Sequence, residues 1–377
     1  MKKIFILTGE PSGDKLAKKT ISELQRINKE INYFSVGGEH LRSIGIDSIF
    51  DLKEITYLGF TKVVLNIFKI KKKINYSVKK ILEFNPDILL SIDSPDFTLR
   101  VAKAVKEKNP NIKTIHYVSP HVWIWRKGRA KKISKFIDHI LLLFSFEKKY
   151  YKSETIKSTF VGHPLLDDSN KKSVDLSQLV KSEKKIISVF PGSRITEINM
   201  LMPILIETIE LINNKYDNLT FVFHATQEFK LIVKDLLDKS NTQNTEVVSD
   251  EIIKSNILSK SFFAIAKSGT ISLEICNAEV PSLIIYRMSW LNYCLIKFVT
   301  NFKYVNIFNI ISNSEVIPEL LQSKCNSRNI YKSVCLFIED EKKGQIQVLE
   351  FKKILNEIKS SSSSSKKVAS ILNESLK

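Results

Sequence analysis

The chain has 377 residues, of which 43% are hydrophobic and 26% charged. These values are typical of globular proteins and exclude a wholly disordered chain, and the length predicts about two to three domains. Lysine and arginine (58) exceed aspartate and glutamate (40), giving a net charge of +18. That excess favours anionic partners such as nucleotides, phospholipids or nucleic acid. An AT-rich genome, which enriches lysine, isoleucine and asparagine, explains the same excess, so both interpretations stay open.

The cysteines indicate the cellular compartment of the protein, and the apolar runs indicate whether the chain spans a membrane. None of the 4 cysteines lies in a CxxC motif, so no zinc motif is present. Free thiols and the absence of a secretory leader predict a cytoplasmic environment. The first apolar run, Ile4–Leu7, ends before Gly9 and is a β-strand rather than a leader. No uncharged stretch reaches the roughly 20 residues of a membrane helix, so we expect no spanning segment.

Apolar strands alternate with helical patterns along the chain. The strands predicted in the first half are Lys2–Leu7, Asn32–Val36, Asp87–Ile92, Lys113–Val118 and His139–Leu143. Those predicted in the second half are Lys185–Phe190, Leu219–Phe223, Phe262–Ala266 and Ser282–Tyr286. Such alternation predicts parallel sheets with helices on both faces. We therefore expect an α/β protein with two Rossmann-like domains that face one another.

The predicted domain boundaries follow from composition. A polar, lysine-rich stretch over 167–185 is the predicted linker, which gives domains at 1–166 and 167–345 and a tail at 346–377. The tail contains a serine run, Ser360–Ser365, and low complexity of this kind is typical of a flexible linker.

Two polar motifs follow predicted strands in the first half. The turn Gly9–Asp14 begins a helix where backbone N–H groups could meet an anion, but it matches neither a dinucleotide fingerprint nor a P-loop. By itself it favours a structural turn capped by Ser12. After the third strand, Asp93 and Asp96 flank a proline, and paired carboxylates suit general-base work on a hydroxyl. Asp96 could merely cap the next helix, so Asp93 is the better chemical candidate.

Two further segments of the first half have two interpretations each. The cluster Tyr117–Arg126 holds two tryptophans, a histidine and an arginine, and it suits either a sugar or nucleotide pocket or packing at a domain edge. In the segment 61–84, large apolar residues adjoin lysines, a pattern that suits an interfacial helix on anionic lipid. The alternative is a core helix with a basic solvated side. The residues expected to contact lipid are Val63, Val64, Ile67, Phe68, Lys71, Lys72 and Lys73.

The second half carries a pair of turns typical of nucleotide-diphosphate binding. Ser193 and Arg194 follow the first strand of this half, where backbone N–H groups, a hydroxyl and a bidentate guanidinium can bind phosphate. The turn Lys267–Glu274 follows a later strand, and its small residues let backbone donors approach a diphosphate. Its last residue, Glu274, can accept hydrogen bonds from two ribose hydroxyls. Each turn alone is a weak signal, and together they predict a nucleotide site.

Taken together, these motifs resemble those of the lipid-A-disaccharide synthase family, from Ile4 to about Gln322. The blocks that carry the resemblance are Gly9–Asp14, Asp93–Phe97, His116–Arg126, Phe146–Lys148, Val161–Pro164, Pro191–Arg194, Ser268–Glu274, Tyr286–Met288, Ile307–Asn309 and Pro318–Gln322. The family is similar to GT-B glycosyltransferases, in which the active site lies between two Rossmann-like domains. The resemblance thus implies an acceptor- and membrane-binding N-terminal domain and a UDP-sugar-binding C-terminal domain. It also implies a C-terminal tail that crosses back to the N-terminal domain or to a partner subunit.

The resemblance implies a reaction and partners. 2,3-Diacylglucosamine would pass from its UDP derivative to the 6-hydroxyl of 2,3-diacylglucosamine 1-phosphate, with inversion, without metal or other cofactor. The enzyme would dock on anionic phospholipid at the cytoplasmic face of the inner membrane of a Gram-negative bacterium, and a homodimer is one open alternative. The resemblance implies Asp93 as the base with Glu10 and Asp96 as orienting groups. Substrate and UDP contacts are expected from Ser193, Arg194, Ser268, Gly269, Thr270, Glu274, Arg287 and Asn309.

Two positions depart from the family's pattern, and two rival functions stay open. Thr98 stands where asparagine is usual, and Lys267 stands where a small residue is common. Lys267 could add a phosphate contact or crowd its turn. The rivals are another GT-B enzyme acting on UDP-sugars, such as an epimerase or a soluble glycosyltransferase, and a basic nucleic-acid-binding protein. The second is disfavoured because the charge is spread along the chain and no nucleic-acid-binding motif is present, so we expect no nucleic-acid partner. A third, a non-catalytic lipid-binding descendant, is disfavoured because Asp93, Arg194 and Glu274 are all present.

Overall fold

The structure is a computed structural model that describes residues 1–55, 67–120, 122, 128–152, 156–167, 174–176, 184–290, 293 and 303–377. Within it the chain forms two compact units. The first unit comprises Met1–Asp167 together with Ile358–Lys377, and the second comprises Asp168–Glu357. The end of the chain therefore belongs to the same unit as its beginning.

The first unit contains a six-stranded parallel sheet with the strand order β2-β1-β3-β4-β5-β6. Its strands are β1 (Lys2–Thr8), β2 (Ile31–Val36), β3 (Ile88–Ile92), β4 (Lys113–Tyr117), β5 (His139–Leu142) and β6 (Lys157–Phe160). The side chains of β3 and β5 are buried throughout, as expected for strands that helices cover on both faces. The five strands predicted in this half are confirmed, and the short edge strand β6 was not predicted.

The part of this unit that the structure describes has five helices between its strands. They are α1 (Pro11–Ile27), α2 (Glu39–Arg42), α3 (Ile67–Phe84), α4 (Pro95–Lys108) and α5 (Arg129–Ile133). The buried face of α1 carries Ala17, Ile21 and Leu24 at helical spacing, so it packs an apolar stripe while its lysines face solvent. Short 3₁₀ turns lie at Leu52–Glu54 and Ser145–Tyr150.

The second unit repeats this architecture with the strand order β12-β11-β10-β7-β8-β9. Its strands are β7 (Lys185–Phe190), β8 (Leu219–His224), β9 (Thr245–Val248), β10 (Ser261–Lys267), β11 (Ser282–Tyr286) and β12 (Glu319–Leu321). The four strands predicted in this half are confirmed. The two edge strands β9 and β12, of 4 and 3 residues, were not predicted. The fold class is therefore α/β with two parallel sheets, as the sequence indicates.

In its described ranges, the second unit contains seven helices of known bounds. They are α6 (Ile195–Asn213), α7 (Lys230–Asp238), α8 (Glu251–Ser259), α9 (Ile271–Asn277), α10 (Ile307–Ser312), α11 (Ser327–Glu339) and α12 (Glu341–Ile358), and a 3₁₀ turn lies at Gln322–Lys324. No helix in the described ranges of either unit is long and apolar enough to cross a bilayer.

The strand order reverses at one place in each sheet. From β1 the chain proceeds to β2 on one side and later to β3 on the other, and from β7 it proceeds to β8 on one side and later to β10 on the other. In open α/β sheets, ligands bind outside the carboxyl ends of the strands at such switch points. The turns after β1 and β3, and those after β7 and β10, are therefore where functional side chains are expected.

The last helix, α13 (Ser364–Leu376), packs against α1 in the first unit. It begins inside the serine run, and Ser364 donates its backbone N–H and its hydroxyl to the Asp167 carboxylate, the latter over 2.8 Å. Gly162, at a φ of +92°, faces Ser360 so closely that an added Cβ would lie 2.6 Å from the Ser360 Cβ. The interpretation of the serine run as flexible linker is therefore wrong, because half of it is buried or hydrogen-bonded at the start of a helix.

Candidate active site

Asp93 follows β3 at the switch point of the first sheet, and its backbone is fixed on both sides. Asp93 and Ser94 both adopt left-handed φ values, of +53° and +45°. The Asp93 N–H donates to the Tyr117 carbonyl over 3.0 Å, and the Thr98 hydroxyl donates to the Asp93 carbonyl over 2.6 Å. Left-handed non-glycine residues cost energy and cluster at functional sites. These contacts fix the backbone from which the half-exposed Asp93 side chain extends, and the Thr98 hydroxyl supplies one of them.

The turn after β1 lies beside Asp93. The Ser12 hydroxyl donates to Asp93 Oδ2 over 3.4 Å, and an added Cβ at Gly9 would lie 2.5 Å from the Ser94 Cβ, so the two turns are in contact. Glu10 precedes α1 and is exposed, and Asp96 is exposed in the first turn of α4. The three predicted carboxylates thus lie on the two turns at this switch point.

Asp14, the last residue of the first motif, is a structural residue. It is 1% exposed, and its carboxylate accepts the backbone N–H groups of Gly38 and His40 over 2.8 and 2.9 Å. An added Cβ at Gly38 would lie 2.8 Å from Asp14 Oδ2, so only glycine allows this approach. Asp14 therefore joins the turn after β1 to the start of α2.

The carboxyl end of β4 is also strained. Val118 has a φ of +78°, which is unusual for a β-branched residue. The imidazole of His116 is fully buried and hydrogen-bonded to the Ser91 hydroxyl over 2.8 Å, and burial lowers its pKa to about 3. His116 is therefore neutral at physiological pH. The remainder of the predicted aromatic and basic cluster, His121 and 123–127, lies outside the described residues.

Glu147 and His163, from two further blocks of the resemblance, pack inside the first unit. Glu147 is 1% exposed, its Oε2 accepts the Phe144 N–H over 2.9 Å, and burial raises its pKa to about 8. The His163 ring lies against that of Phe144 with 5.6 Å between centroids, and burial lowers its pKa to about 4. At neutral pH the carboxyl of Glu147 is therefore largely protonated and the imidazole of His163 is neutral.

The second unit has a cavity of about 260 Å³ at the carboxyl ends of β7, β8 and β10. Its wall includes the predicted residues Ser193, Ser268, Gly269, Thr270 and Glu274. Arg194 lies next to it as the residue that precedes α6, with 59% of its side chain exposed. The structure thus brings the two predicted nucleotide-binding turns together around one cavity at the second switch point.

Glu274 forms an ion pair inside this cavity. Its Oε2 lies 3.0 Å from Lys254 Nζ, and Lys254 also pairs with Glu251 over 2.7 Å. Burial lowers the pKa of Lys254, but the two carboxylates outweigh that effect and raise it above its ordinary value. Lys254 therefore stays charged and holds one oxygen of Glu274 at the wall of the cavity.

Glu197 organises the turn after β7, and sequence reasoning missed it. Its Oε2 accepts the Ser193 N–H over 3.1 Å, and its Oε1 lies 2.9 Å from Lys267 Nζ and 3.8 Å from Arg194. Gly192 has a φ of +120°, and an added Cβ there would lie 2.6 Å from Glu197 Oε2. The available signal was an acidic residue in the first turn of α6, directly after the phosphate-binding turn.

The aromatic wall of the cavity is formed by Phe190 and His224. Their rings are stacked, with 4.3 Å between centroids and 9° between planes. His224 Nε2 is hydrogen-bonded to the Ser188 hydroxyl over 2.9 Å, and burial, followed by the charge of Lys254, lowers the pKa of His224 to about 3. This wall is therefore uncharged at neutral pH.

Asn309 does not line the cavity, contrary to the direct contact expected of it. It is 0% exposed, and its amide nitrogen donates to the Ile317 carbonyl and to Glu319 Oε1. Its Oδ1 accepts the N–H groups of Val316 and Ile317. With all its hydrogen-bonding groups used, Asn309 holds a loop in place. Arg287, by contrast, is exposed directly after β11.

The predicted lipid-contacting segment is described in part. Val63 and Val64 lie outside the described residues, and Ile67 is the first residue of α3. Phe68 is 79% exposed, and Lys71 and Lys72 are exposed. Lys73 instead pairs with the Glu54 carboxylate and lies 4.4 Å from the centroid of the Phe50 ring. Lys73 therefore has an internal role that the sequence did not predict.

Among the residues that the structure describes, no group of three or more His, Cys, Asp and Glu side chains is arranged to hold a metal ion.

Solved structures with the same architecture define the class of the fold. The UDP-GlcNAc 2-epimerase of Neisseria meningitidis, solved with UDP-GlcNAc, superposes with a TM-score of 0.65 at 15% identity over 100% of this chain and 99% of that one. A glycosyltransferase from Rickettsia africae superposes with a TM-score of 0.57 at 15% identity over 100% and 99%. The chain therefore has the two-domain fold of GT-B glycosyltransferases and related epimerases.

Sequence comparison defines the family. The family model described as lipid-A-disaccharide synthetase matches residues 4–372. Lipid-A-disaccharide synthases from Rickettsia bellii and Rhodospirillum centenum are 34% and 30% identical, over 95% and 92% of this chain and 94% and 87% of their own. The chain belongs to the lipid-A-disaccharide synthase family, as the motifs predicted, and it is a glycosyltransferase of lipid A disaccharide synthesis. That role implies a UDP-sugar and a lipid acceptor as substrates.

Proposed function

We propose that the protein transfers 2,3-diacylglucosamine from UDP-2,3-diacylglucosamine to the 6-hydroxyl of 2,3-diacylglucosamine 1-phosphate. The acceptor oxygen attacks the anomeric carbon, and the bond from that carbon to the diphosphate breaks with its electron pair leaving on UDP. An α-linked donor and a β-1,6-linked product require one inversion, so a single in-line displacement suffices. The acceptor hydroxyl loses its proton to a base. The observation that carries the proposal is the fixed, half-exposed Asp93 carboxylate at the first switch point.

Asp93 is the proposed base. A base needs an accessible carboxylate at a defined position, and the anchored backbone of Asp93 supplies that position. The exposed carboxylates of Glu10 and Asp96 on the neighbouring turns act as orienting groups. Buried Glu147 is unsuited to this role, because at pH 7 it largely retains its own proton.

The cavity of the second unit is the proposed site for the donor's UDP. The Ser193 hydroxyl and the backbone N–H groups of Gly269 and Thr270 contact the diphosphate. Ser268 holds this turn through hydrogen bonds to the Ile285 and Val305 carbonyls, and Glu274 accepts hydrogen bonds from the ribose. Arg194 offsets the charge that grows on the departing diphosphate, a role that divalent metals have in other enzymes. Arg287 adds positive charge on the donor side, and Asn309 acts by holding its loop.

The reaction is tested with purified protein in mild detergent, both acylated substrates and EDTA, with products identified by mass spectrometry. We expect a tetraacyl disaccharide phosphate and an equal amount of UDP. Absence of product with EDTA and also with added magnesium would contradict the proposal. Turnover of unacylated UDP-GlcNAc without any acceptor would favour an epimerase instead.

We also propose that the N-terminal part of α3 docks on anionic phospholipid at the cytoplasmic face of the inner membrane. An aromatic side chain as exposed as Phe68 beside exposed Lys71 and Lys72 suits a lipid surface. We expect Phe68→Ser with Lys71→Glu and Lys72→Glu to abolish flotation with phosphatidylglycerol vesicles. Lys79→Glu and Lys80→Glu, on the same helix, serve as the matched control. Equal flotation of both variants would contradict the docking surface.

The oligomeric state is a separate proposal. α13 packs on α1 of its own chain, which supports the expectation that the tail returns to the N-terminal domain. A homodimer therefore does not depend on exchange of this helix. Sedimentation velocity of the full chain tests it: a single species at twice the chain mass supports a homodimer, and a species at the chain mass contradicts it.

A further inference from the structure

The carboxylate of Glu197 is bound by the kind of groups that an anionic ligand would use. Oε2 accepts the Ser193 N–H over 3.1 Å, and Oε1 lies 2.9 Å from the ammonium of Lys267 and 3.8 Å from the guanidinium of Arg194. A backbone N–H at the start of a helix, an ammonium and a guanidinium are groups with which proteins bind phosphate. Here the anion that they hold is part of the protein itself.

Lys267 lies where its ammonium can contact a ligand in the cavity in place of the Glu197 carboxylate. It is the last residue of β10, and it lines the same cavity as Ser193, which follows the neighbouring strand β7. The strand order reverses between these two strands, and this is the position at which ligands bind in open α/β sheets. The ammonium also lies 5.2 Å from the centroid of the Tyr286 ring, within the range of a cation–π contact.

We propose that Lys267 binds the diphosphate of the sugar nucleotide and that Glu197 holds its ammonium in position until the nucleotide arrives. The diphosphate carries more negative charge than one carboxylate, so its oxygens can displace Glu197 from the ammonium, while Glu197 Oε2 keeps the Ser193 N–H as its partner. Lys267 then contacts the diphosphate from the end of β10, while Arg194 does so from the end of β7. The inference rests on the proposed function for the identity of the ligand as a UDP-sugar.

The competing interpretation is that Lys267 only neutralises Glu197. Glu197 is 8% exposed, and a nearly buried carboxylate that loses its partner is destabilising. Under that interpretation, Lys267→Met would weaken nucleotide binding only by disturbing the turn. A second substitution, Glu197→Gln, removes the carboxylate and with it the need for a partner. The double variant therefore separates the two roles.

The experiment compares UDP and uridine as probes for the wild type, Glu197→Gln, and Glu197→Gln with Lys267→Met. UDP binding is measured by calorimetry and uridine binding by ligand-observed NMR. We expect the double variant to bind UDP about tenfold or more weakly than Glu197→Gln, as loss of a charge-assisted hydrogen bond implies. Uridine, which has no phosphate, should bind both variants equally. Equal UDP affinity of the two variants, or a parallel loss of uridine binding, would overturn the inference.

Two controls complete the test. Lys215→Met removes a lysine that pairs with Glu339 in the same unit, and Lys215 does not line the cavity. We expect it to leave UDP affinity unchanged, and an equal loss would show that only net charge matters and overturn the inference. If the wild type itself does not bind UDP, the proposed function fails. If the wild type binds UDP and makes product while the double variant binds UDP as Glu197→Gln does, only the role of Lys267 fails.

Discussion

The carboxyl edges of the two sheets are alike in topology and different in charge. At the switch point of the first unit, the turns carry the exposed or half-exposed carboxylates of Glu10, Asp93 and Asp96. At the switch point of the second unit, cations lie at the cavity and pair with carboxylates: Lys254 with Glu251 and Glu274, and Arg194 and Lys267 with Glu197. An accessible carboxylate can take a proton from a hydroxyl, whereas cations and backbone N–H groups suit an anion. This difference supports the proposal that the chemistry takes place at the first edge and nucleotide binding at the second.

The two edges also differ in what fixes their side chains. Asp93 is positioned through its own backbone, by a left-handed conformation and by hydrogen bonds to its N–H and carbonyl groups. Glu197 and Lys267 are positioned by each other, since they form one ion pair. Replacing the side chain of Asp93 should therefore leave the fold intact. Replacing Glu197 or Lys267, by contrast, also changes the position of the other member of the ion pair.

The largest expected effect is on turnover by Asp93→Asn. The amide cannot accept the acceptor's proton, so we expect kcat to fall by about 10²- to 10⁴-fold. Circular dichroism and thermal unfolding should match those of the wild type, because the amide keeps the shape of the carboxylate. Asp96→Asn is the matched control, with a kcat reduced by about tenfold or less. A near-normal kcat in Asp93→Asn would contradict the proposal that Asp93 is the base.

A second prediction concerns the second edge. Arg194→Ala removes the charge that is proposed to stabilise the leaving diphosphate, and we expect kcat/KM to fall by about 10²-fold. Arg287→Ala, at another exposed arginine of the same unit, should have a smaller effect. A larger loss of kcat/KM in Arg287→Ala than in Arg194→Ala would contradict the proposal that Arg194 stabilises the leaving diphosphate.

A third prediction concerns Glu147, the buried acid of the first unit, which differs from the accessible Asp93 in its effect on stability. Glu147 has a pKa of about 8 when folded and an ordinary carboxyl pKa when unfolded, so the folded state binds more protons between those values. Its contribution to stability is present at low pH and is lost as pH rises towards about 8. We expect Glu147→Gln, which cannot ionise, to raise the free energy of unfolding at pH 8 by about 1–3 kcal/mol.

Chemical denaturation at pH 5 and pH 8 measures this effect. The difference between wild type and Glu147→Gln should grow with pH. A constant difference would show that Glu147 is ionised in the folded protein.

The smallest expected effect is at the junction of the first unit with its C-terminal helix. Asp167 accepts hydrogen bonds from Ser363 and Ser364 at the start of α13. We expect Asp167→Ala to lower the free energy of unfolding by about 1 kcal/mol, as loss of a helix cap does. Amide hydrogen exchange should increase over 364–376 first. Asp47→Ala, at an exposed aspartate of the same unit, is the control. If exchange over 364–376 is no faster in Asp167→Ala than in Asp47→Ala, the capping role is contradicted.

Much of the fold could be predicted because its signals are local. Apolar runs that alternate with helical patterns predicted nine of the strands, and the polar motifs that follow β1, β3, β7 and β10 lie at the two switch points. The three strands that were not predicted are edge strands of 3 or 4 residues with partly exposed side chains, so they lack a continuous apolar run.

The site was less predictable because its key contacts join distant residues. The Asp14 carboxylate meets N–H groups beyond β2, and Glu197 meets Lys267 some 70 positions along the chain. Asn309 shows the opposite error. Its place in a motif suggested a ligand contact, but its amide is hydrogen-bonded to residues of a loop 7 to 10 positions further along the chain. Pairing of this kind is decided by the fold and has no sequence pattern.

The central claim is that the first edge performs the chemistry and the second binds the nucleotide. The dissociation constant of UDP, measured by calorimetry for the wild type and for Asp93→Asn, tests it most directly. We predict that the two values agree within about twofold, although Asp93→Asn has lost nearly all turnover. A UDP affinity that falls together with turnover would contradict the division between the two edges.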